Sequence, residues 1–317
     1  MDLSFVTSEL AVAYFLLGLV VLSLGAFWFI EGAVSLSTRL RIPKLLIGSV
    51  IMSLATTSPE VMVSLTAVTQ GQELIALGNI FGSFIANIGL VLGISGLIRP
   101  IKVSYIILHR QIPFSIAALI LLVILSMGAY VETIDTVLLL GILVVWLGWL
   151  ARSASHDSLA IELPEARSLG LTFVWFVAGI VFMQVGSYVL VSAAEAIAIN
   201  AGISPYVVGI SIVAIGTSLP ELASGIYGAY KGEYELILGN ILGANILLLL
   251  FVLPVICLFS PHPVVLSSAW GDYLFMGVSS VFLWLFSARF DRSWQINRLE
   301  AGLLLLIFCC YQFFAYR

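Results

Sequence analysis

Charge is what this chain has least of. Only 9% of its 317 residues are Asp, Glu, Lys or Arg, against roughly 25% in soluble domains, so it cannot clothe a soluble surface. Histidine and cysteine are equally scarce, at three each. No His-rich metal motif is present. Cys257, Cys309 and Cys310 stand in apolar stretches without CxxC spacing, which reads as packing and argues against a thiol centre. The basic residues are dispersed, so there is no nucleic-acid patch. No nucleophile–base signature marks an enzyme. Long polar segments are missing too. The longest, SASHDSLAIELPEARS at 153–168, is a linker and too short for a domain. Before the first apolar run, MDLSFVTSEL holds only Asp2 and Glu9. A signal peptide begins with a basic region, so the first helix is expected to remain in the mature protein.

What is present is apolar. Hydrophobic residues make up 61% of the chain and its mean hydropathy is +1.15. A membrane-crossing helix needs about 20 apolar residues. That unit predicts an all-α integral membrane protein with ten spans, at 11–37, 43–69, 73–98, 109–129, 134–153, 169–198, 205–230, 234–259, 270–288 and 299–316. Arg39, Arg41, Lys44, Arg99, Lys102, Arg110, Arg152, Arg167, Lys231, Arg289, Arg292 and Arg298 all fall on one side of this arrangement, and only Arg317 on the other. Basic residues mark the cytoplasmic side. The expectation is a multi-pass cell-membrane protein, an inner-membrane protein in a bacterium, with the linker cytoplasmic and both termini outside.

The chain also repeats itself. At an offset of 161, residues 47–100 fall on 208–261. Gly48 meets Gly209, Ile51 meets Ile212, Thr56 meets Thr217, Pro59-Glu60 meets Pro220-Glu221, Gly71 meets Gly232, LGNIFG at 77–82 meets LGNILG at 238–243, and Pro100 meets Pro261. A fixed offset over two helices signals an internal repeat. The expected division is 1–152, a linker at 153–168, and 169–317. Five spans per half is an odd number, so the second half must enter from the opposite face. Inverted repeats are typical of secondary transporters, with the substrate near the midplane on interrupted helices.

ATTSPE at 55–60 and GTSLPE at 216–221 each put a proline and a carboxylate inside an apolar span. Proline has no N–H for the carbonyl four residues back, so Pro59 should free Ala55 and Pro220 should free Gly216. Such carbonyls are tolerated at membrane depth only where they line a cavity. Thr56, Thr57, Thr217 and Ser218 add hydroxyls. With Glu60 and Glu221 brought together about a two-fold axis in the membrane plane, the result is an all-oxygen site. Hard cations such as Ca²⁺ take six to eight oxygens, and two carboxylates would neutralise a divalent ion. The bland alternative is a pair of kinks whose glutamates find protein partners. Gly78/Gly82 and Gly239/Gly243 have the spacing that lets helices approach closely. Asn79 and Asn240 are either ligands or interhelical hydrogen bonders, the second being the preferred reading.

The two PE-containing repeats, each followed by a GN…G…NI segment, resemble the α-repeats of the cation/calcium antiporter superfamily, of the sodium/calcium exchanger kind, over essentially the whole chain. The resemblance implies alternating-access exchange of Ca²⁺ against Na⁺, or sometimes K⁺ or H⁺. Spans 2, 3, 7 and 8 would form the core, with spans 1 and 6 sliding across it. It implies ligands at Thr56, Thr57, Glu60, Thr217, Ser218 and Glu221. It adds Ser83 and Asn87, which match the family's serine and polar residue 23 and 27 positions after the glutamate. Phe84 stands where asparagine is usual. In the second repeat the matching positions are Ala244 and Leu248, with Asn245 between them, so the auxiliary oxygens are depleted there. The regulatory insert of animal exchangers is absent. No cofactor is implied, only transported cations. Alternatives on the same fold are a proton-coupled or other divalent cation antiporter, or a non-transporting cation-binding membrane protein. Three titratable groups stand apart. Glu31 and Glu195 either pair with a core group, face a water-filled passage, or make a polar contact near a helix end. His109 is either solvated or pH-sensing.

Overall fold

The structure, a computed structural model, describes residues 8–39, 52–128, 131–154, 168–232, 234–260, 269–288 and 294–316. Twelve helices organise them. They are α1 (Ser8–Arg39), α2 (Met52–Thr56), α3 (Ser58–Thr69), α4 (Glu73–Ile98), α5 (Ile107–Leu125), α6 (Thr133–Ala154), α7 (Leu169–Ala201), α8 (Pro205–Thr217), α9 (Leu219–Lys231), α10 (234–259), α11 (Trp270–Ser287) and α12 (Arg298–Ala315). Seven of the described helices are long and apolar enough to cross a membrane. An eighth span is formed if α8 and α9, bent by 44°, count as one. The predicted spans at 43–69 and 270–288 are not among these. Residues 43–51 of the first lie outside the described residues, and the second is the helix α11. Residues 155–167 of the predicted linker and the basic residues Arg41, Lys44, Arg167, Arg289, Arg292 and Arg317 also lie outside, as do the repeat positions Gly48, Ile51 and Pro261.

Local chemistry sets the helix ends. Ser168 caps α7 by accepting from the Leu171 amide at 3.4 Å. Asn297 and Glu300 form a capping box on α12, with reciprocal bonds of 2.9 and 2.7 Å. Both cap types satisfy amides that the first turn leaves without partners. Gly71 and Gly232, matched by the 161-residue offset, close α3 and α9 with left-handed φ of +73° and +82°. That conformation costs little only without a Cβ. One element was not predicted. β1 (Ile101–Lys102) pairs antiparallel with β2 (Gln295–Ile296), tying the chain after α4 to the chain before α12.

Burial identifies the centre. The apolar windows of α4 and α10 are 83% and 78% buried, against 22–39% for α1, α5, α6, α7 and α12. α3 packs on α4 and α7, α2 on α10, and α8 along α4. The α4–α8 seam is backbone on backbone. A Cβ on Gly78 would lie 2.6 Å from the Tyr206 carbonyl, and one on Gly82 would lie 2.6 Å from that of Ile210. This is the close approach that the glycine spacing predicted. For Gly239 an added Cβ meets nothing within 4 Å. α1 and α7 form the most extensive helix pair, with Gly18, Gly25 and Gly32 against residues 176–190. The outward faces carry Leu16, Leu17, Val144, Val145, Phe173 and Leu299, all exposed. Apolar side chains facing outward suit a lipid environment, where burial from water is not needed.

Candidate functional site

Each PE motif breaks its helix. α2 ends at Thr56, the chain turns at Thr57, and α3 restarts at Ser58 with Pro59 and Glu60 in its first turn. α8 ends at Thr217, the chain turns at Ser218, and α9 restarts with Pro220 and Glu221 in its first turn. Proline suits a first turn because its missing N–H would be unpaired there anyway. The ends of the half-helices therefore meet at the motif. The carboxylates sit at positive helix N-termini, while the carbonyl ends of α2 and α8 present partial negative charge.

All the predicted side chains are sealed from solvent. Glu60, Glu221, Thr57, Thr217, Ser218 and Asn87 are each 1% exposed, Thr56 is 4% and Ser83 is 0%. Ser218 donates to Glu60 Oε1 at 3.3 Å, so the second motif reaches the first carboxylate. The Ser83 and Thr217 hydroxyls are 3.4 Å apart. Asn87 follows Ser83 by four residues, which puts both on one face of α4. The two proline-freed carbonyls keep partners. Ala55 accepts from the Ser58 hydroxyl at 2.6 Å, and Gly216 accepts from a backbone amide at the end of α8. Each carbonyl oxygen retains a second lone pair.

Two asparagines brace the site crosswise. Thr56 Oγ1 donates to Asn240 Oδ1 at 3.0 Å, and Thr217 Oγ1 donates to Asn79 Oδ1 at 3.0 Å. These pairs are related by the same offset of 161. Asn79 Nδ2 is held by Ser64 at 2.9 Å and Asn240 Nδ2 by Ser224 at 3.3 Å. Asn79 and Asn240 thus act as interhelical hydrogen bonders. By taking the threonine protons they turn hydroxyl lone pairs to other use.

Ten buried side-chain polar atoms have no hydrogen-bond partner among the described residues, and five belong to this cluster. They are Thr57 Oγ1, Glu60 Oε2, Asn87 Oδ1 and both Glu221 oxygens. All five can accept and four have no proton to give when the carboxylates are ionised. A buried acceptor without a donor is costly. Oxygens gathered this way fit a bound cation. No group of three or more His, Cys, Asp or Glu exists among the described residues. The donor set is therefore two carboxylates with neutral oxygens, which suits a hard cation rather than a transition metal.

The matching positions of the second repeat supply no side-chain oxygen. Ala244 and Leu248 are fully buried. The remaining titratable groups divide. Glu195 accepts from Gln72 at 2.6 Å, a polar contact near a helix end. Glu31 is half-buried on α1. His109 is exposed and stacks on Tyr105 at 4.2 Å, away from the site. Asp272 was not singled out from the sequence, although a lone aspartate opens an otherwise apolar run there. It is buried on α11 and accepts from Tyr206 at 2.6 Å and Tyr311 at 2.7 Å, joining α8, α11 and α12.

Comparison with known proteins identifies the family. The model of the family described as Sodium/calcium exchanger protein matches residues 10–152 and 171–317. CaxA of Alkalimonas amylolytica is 36% identical over 311 residues, covering 96% of this chain and 98% of its own. The inner membrane protein YrbG of Escherichia coli (strain K12) is 35% identical over 306 residues, or 93% of both chains. Among solved structures, that of the sodium-calcium exchanger NCX_Mj soaked with Na⁺ and Sr²⁺ is similar, with a TM-score of 0.67 and 30% identity over 96% of this chain and 98% of that one. With the family model matched across both halves, this multi-pass membrane chain belongs to the sodium/calcium exchanger family.

Proposed function

We propose that the protein is a secondary active antiporter that exchanges Ca²⁺ for Na⁺ or another monovalent cation by alternating access, with the ion held near the midplane by Glu60 and Glu221. The observation that carries this reading is the sealed group of unpartnered oxygens on Thr57, Glu60, Asn87 and Glu221. Thr56, Thr217, Ser218 and Ser83 would add hydroxyl oxygens, and Ala55 and Gly216 carbonyls. Soaking of NCX_Mj with Na⁺ and Sr²⁺ accords with a monovalent and a divalent cargo. An exchanger needs no catalytic residue and no cofactor.

The transport fold we propose is two inverted five-helix repeats, 1–152 and 169–317, joined by a cytoplasmic linker at 153–168. Matched breaks at Thr57 and Ser218 and crossed Thr–Asn bonds support it. So do π-helical turns that start at Asn87 and Leu248, again 161 residues apart. Contacts at the helix ends sort into two sets. Gln72–Glu195, Glu73–Ser260 and Tyr206–Asp272–Tyr311 join ends assigned to the outside. Ile98–Arg298, Arg99–Tyr234 and the β1–β2 pair join ends assigned to the cytoplasm. This accords with ten spans and outward termini.

Uptake of ⁴⁵Ca²⁺ into proteoliposomes under imposed Na⁺, K⁺ or H⁺ gradients tests the activity. Gradient-dependent uptake is expected, and its absence under all three gradients refutes antiport and leaves a non-transporting cation-binding protein. A second reading concerns the coupling ion. Ala244 and Leu248 are buried without a side-chain oxygen, so fewer monovalent ions can be held at once, or protons replace them. The Hill slope of Na⁺-driven flux at two pH values decides. A slope as steep as three cooperating Na⁺, insensitive to pH, excludes it. Leu248→Asp with Ala244→Ser should steepen a shallow slope.

A further inference from the structure

Asn245 has no place in the ligand set, yet it is fully buried beside it. Its amide makes two bonds. Asn245 Nδ2 donates to the Phe84 carbonyl at 3.2 Å, and Asn245 Oδ1 accepts from Asn87 Nδ2 at 2.9 Å. The orientation of an asparagine amide is settled by its network rather than by its shape. Here the network has an unambiguous anchor, because a backbone carbonyl can only accept. Phe84 therefore fixes Asn245 with its nitrogen toward α4's backbone. The Asn245 oxygen must then face Asn87, and Asn87 must answer with its nitrogen. That leaves Asn87 Oδ1 as the free end, and it is one of the buried oxygens without a partner. Turning Asn87 over would set oxygen against oxygen. Turning both amides over would set the Asn245 oxygen against the Phe84 carbonyl.

The geometry points to Asn245 as a positioning residue: the chain Phe84 carbonyl, Asn245 amide, Asn87 amide holds the Asn87 oxygen toward the Glu60–Glu221 site as a cation ligand. This rests on the reading of that site as a cation site. The arrangement spans the repeats, since Phe84 and Asn87 are on α4 and Asn245 is on α10, whose own matching positions, Ala244 and Leu248, offer no oxygen. The second repeat thus contributes by orienting the first repeat's ligand instead of supplying one. Asn87 is also the first residue of a π-helical turn, a backbone feature frequent at functional sites. Groups that orient a metal ligand without touching the metal typically contribute about 10–100-fold in affinity.

The test is calorimetric Ca²⁺ binding to the purified full-length protein without Na⁺, with melting temperature as the check on folding. Asn245→Leu should weaken binding by about 10–100-fold. Asn245→Asp, which keeps an acceptor for Asn87 Nδ2 but loses the donor to the Phe84 carbonyl, should bind Ca²⁺ better than Asn245→Leu and less well than the wild type, and binding no better than that of Asn245→Leu counts against the assignment. The deciding comparison is the double variant Asn87→Ala/Asn245→Leu, which should bind no worse than Asn87→Ala alone, because Asn245 acts only through Asn87. Wild-type affinity in Asn245→Leu, or losses that add in the double variant, overturns the assignment. If Asn245→Leu does not fold, the cycle is run with Asn245→Ala under the same criteria. Glu60→Gln separates the two levels. If it binds as the wild type does, the cation site itself is refuted. If it fails to bind while Asn245→Leu is unaffected, only the positioning role is lost.

Discussion

Replacing Glu221 by glutamine removes one charge while keeping size and shape. In the structure both Glu221 oxygens are buried without a donor, and Glu60 has one weak donor, Ser218 at 3.3 Å. A divalent ion between them would be neutralised by the pair. In Glu221→Gln it would retain one uncompensated charge in a sealed site. Breaking a buried charge pair by removing one partner costs about 3–5 kcal/mol. At about 1.4 kcal/mol per decade, affinity should fall by roughly two to three and a half orders of magnitude. Thermal stabilisation reads this out. At a Ca²⁺ concentration of about 100 Kd the wild type gains about 2.7 kcal/mol of stability from binding. With Kd raised about 100-fold, the same concentration adds only about 0.4 kcal/mol, which is RT ln 2. The assay is a melting curve of detergent-purified protein with and without Ca²⁺. The wild type should shift clearly upward and Glu221→Gln hardly at all, while both melt cooperatively in EDTA. A Ca²⁺-dependent shift of wild-type size in a folded Glu221→Gln would refute the two-carboxylate site.

Other outcomes follow from particular contacts. Thr56→Val and Thr217→Val each leave an asparagine oxygen without its donor, at about 1–3 kcal/mol, and the matched geometry predicts similar losses of Ca²⁺ affinity by titration. Gly18→Ala puts a Cβ 2.7 Å from the Leu190 amide nitrogen in the α1–α7 seam. It should lower the melting temperature and slow ⁴⁵Ca²⁺ exchange, and a variant that melts and exchanges as the wild type does would contradict the close-packed seam. Asp272→Leu strands the Tyr206 and Tyr311 hydroxyls and should destabilise by about 1–3 kcal/mol for each, where Asp272→Asn, which keeps an acceptor, costs less in the same melt.

What could be read from the residues was whatever acts within about four positions along the chain. Pro59 and Pro220 mark the breaks because a missing N–H disrupts its own turn. Gly71 and Gly232 mark the helix ends because left-handed φ excludes most side chains. At each motif the helix stops, at Thr56 and at Thr217, and restarts after a single residue. Features that depend on how distant helices are rotated were less legible. The paired amides of Asn87 and Asn245 are 158 residues apart, and nothing in either segment announces the bond. The freed carbonyls of Ala55 and Gly216 could be located, but not the donors returned to them, such as the Ser58 hydroxyl on Ala55. Asp272 was visible as a carboxylate in an apolar run, while its tyrosine partners come from two other helices. β1 and β2 span two residues each, too few to show a periodicity.

The most direct test of the central claim is anomalous diffraction from crystals of the wild-type protein soaked in Sr²⁺. The account predicts one strong peak between the carboxylates of Glu60 and Glu221, with oxygens from both PE motifs at roughly the 2.3–2.6 Å typical of Ca²⁺ sites, and its loss in Glu60→Gln. Crystals that bind Sr²⁺ elsewhere, with the Glu60 and Glu221 oxygens satisfied by protein donors, would contradict it.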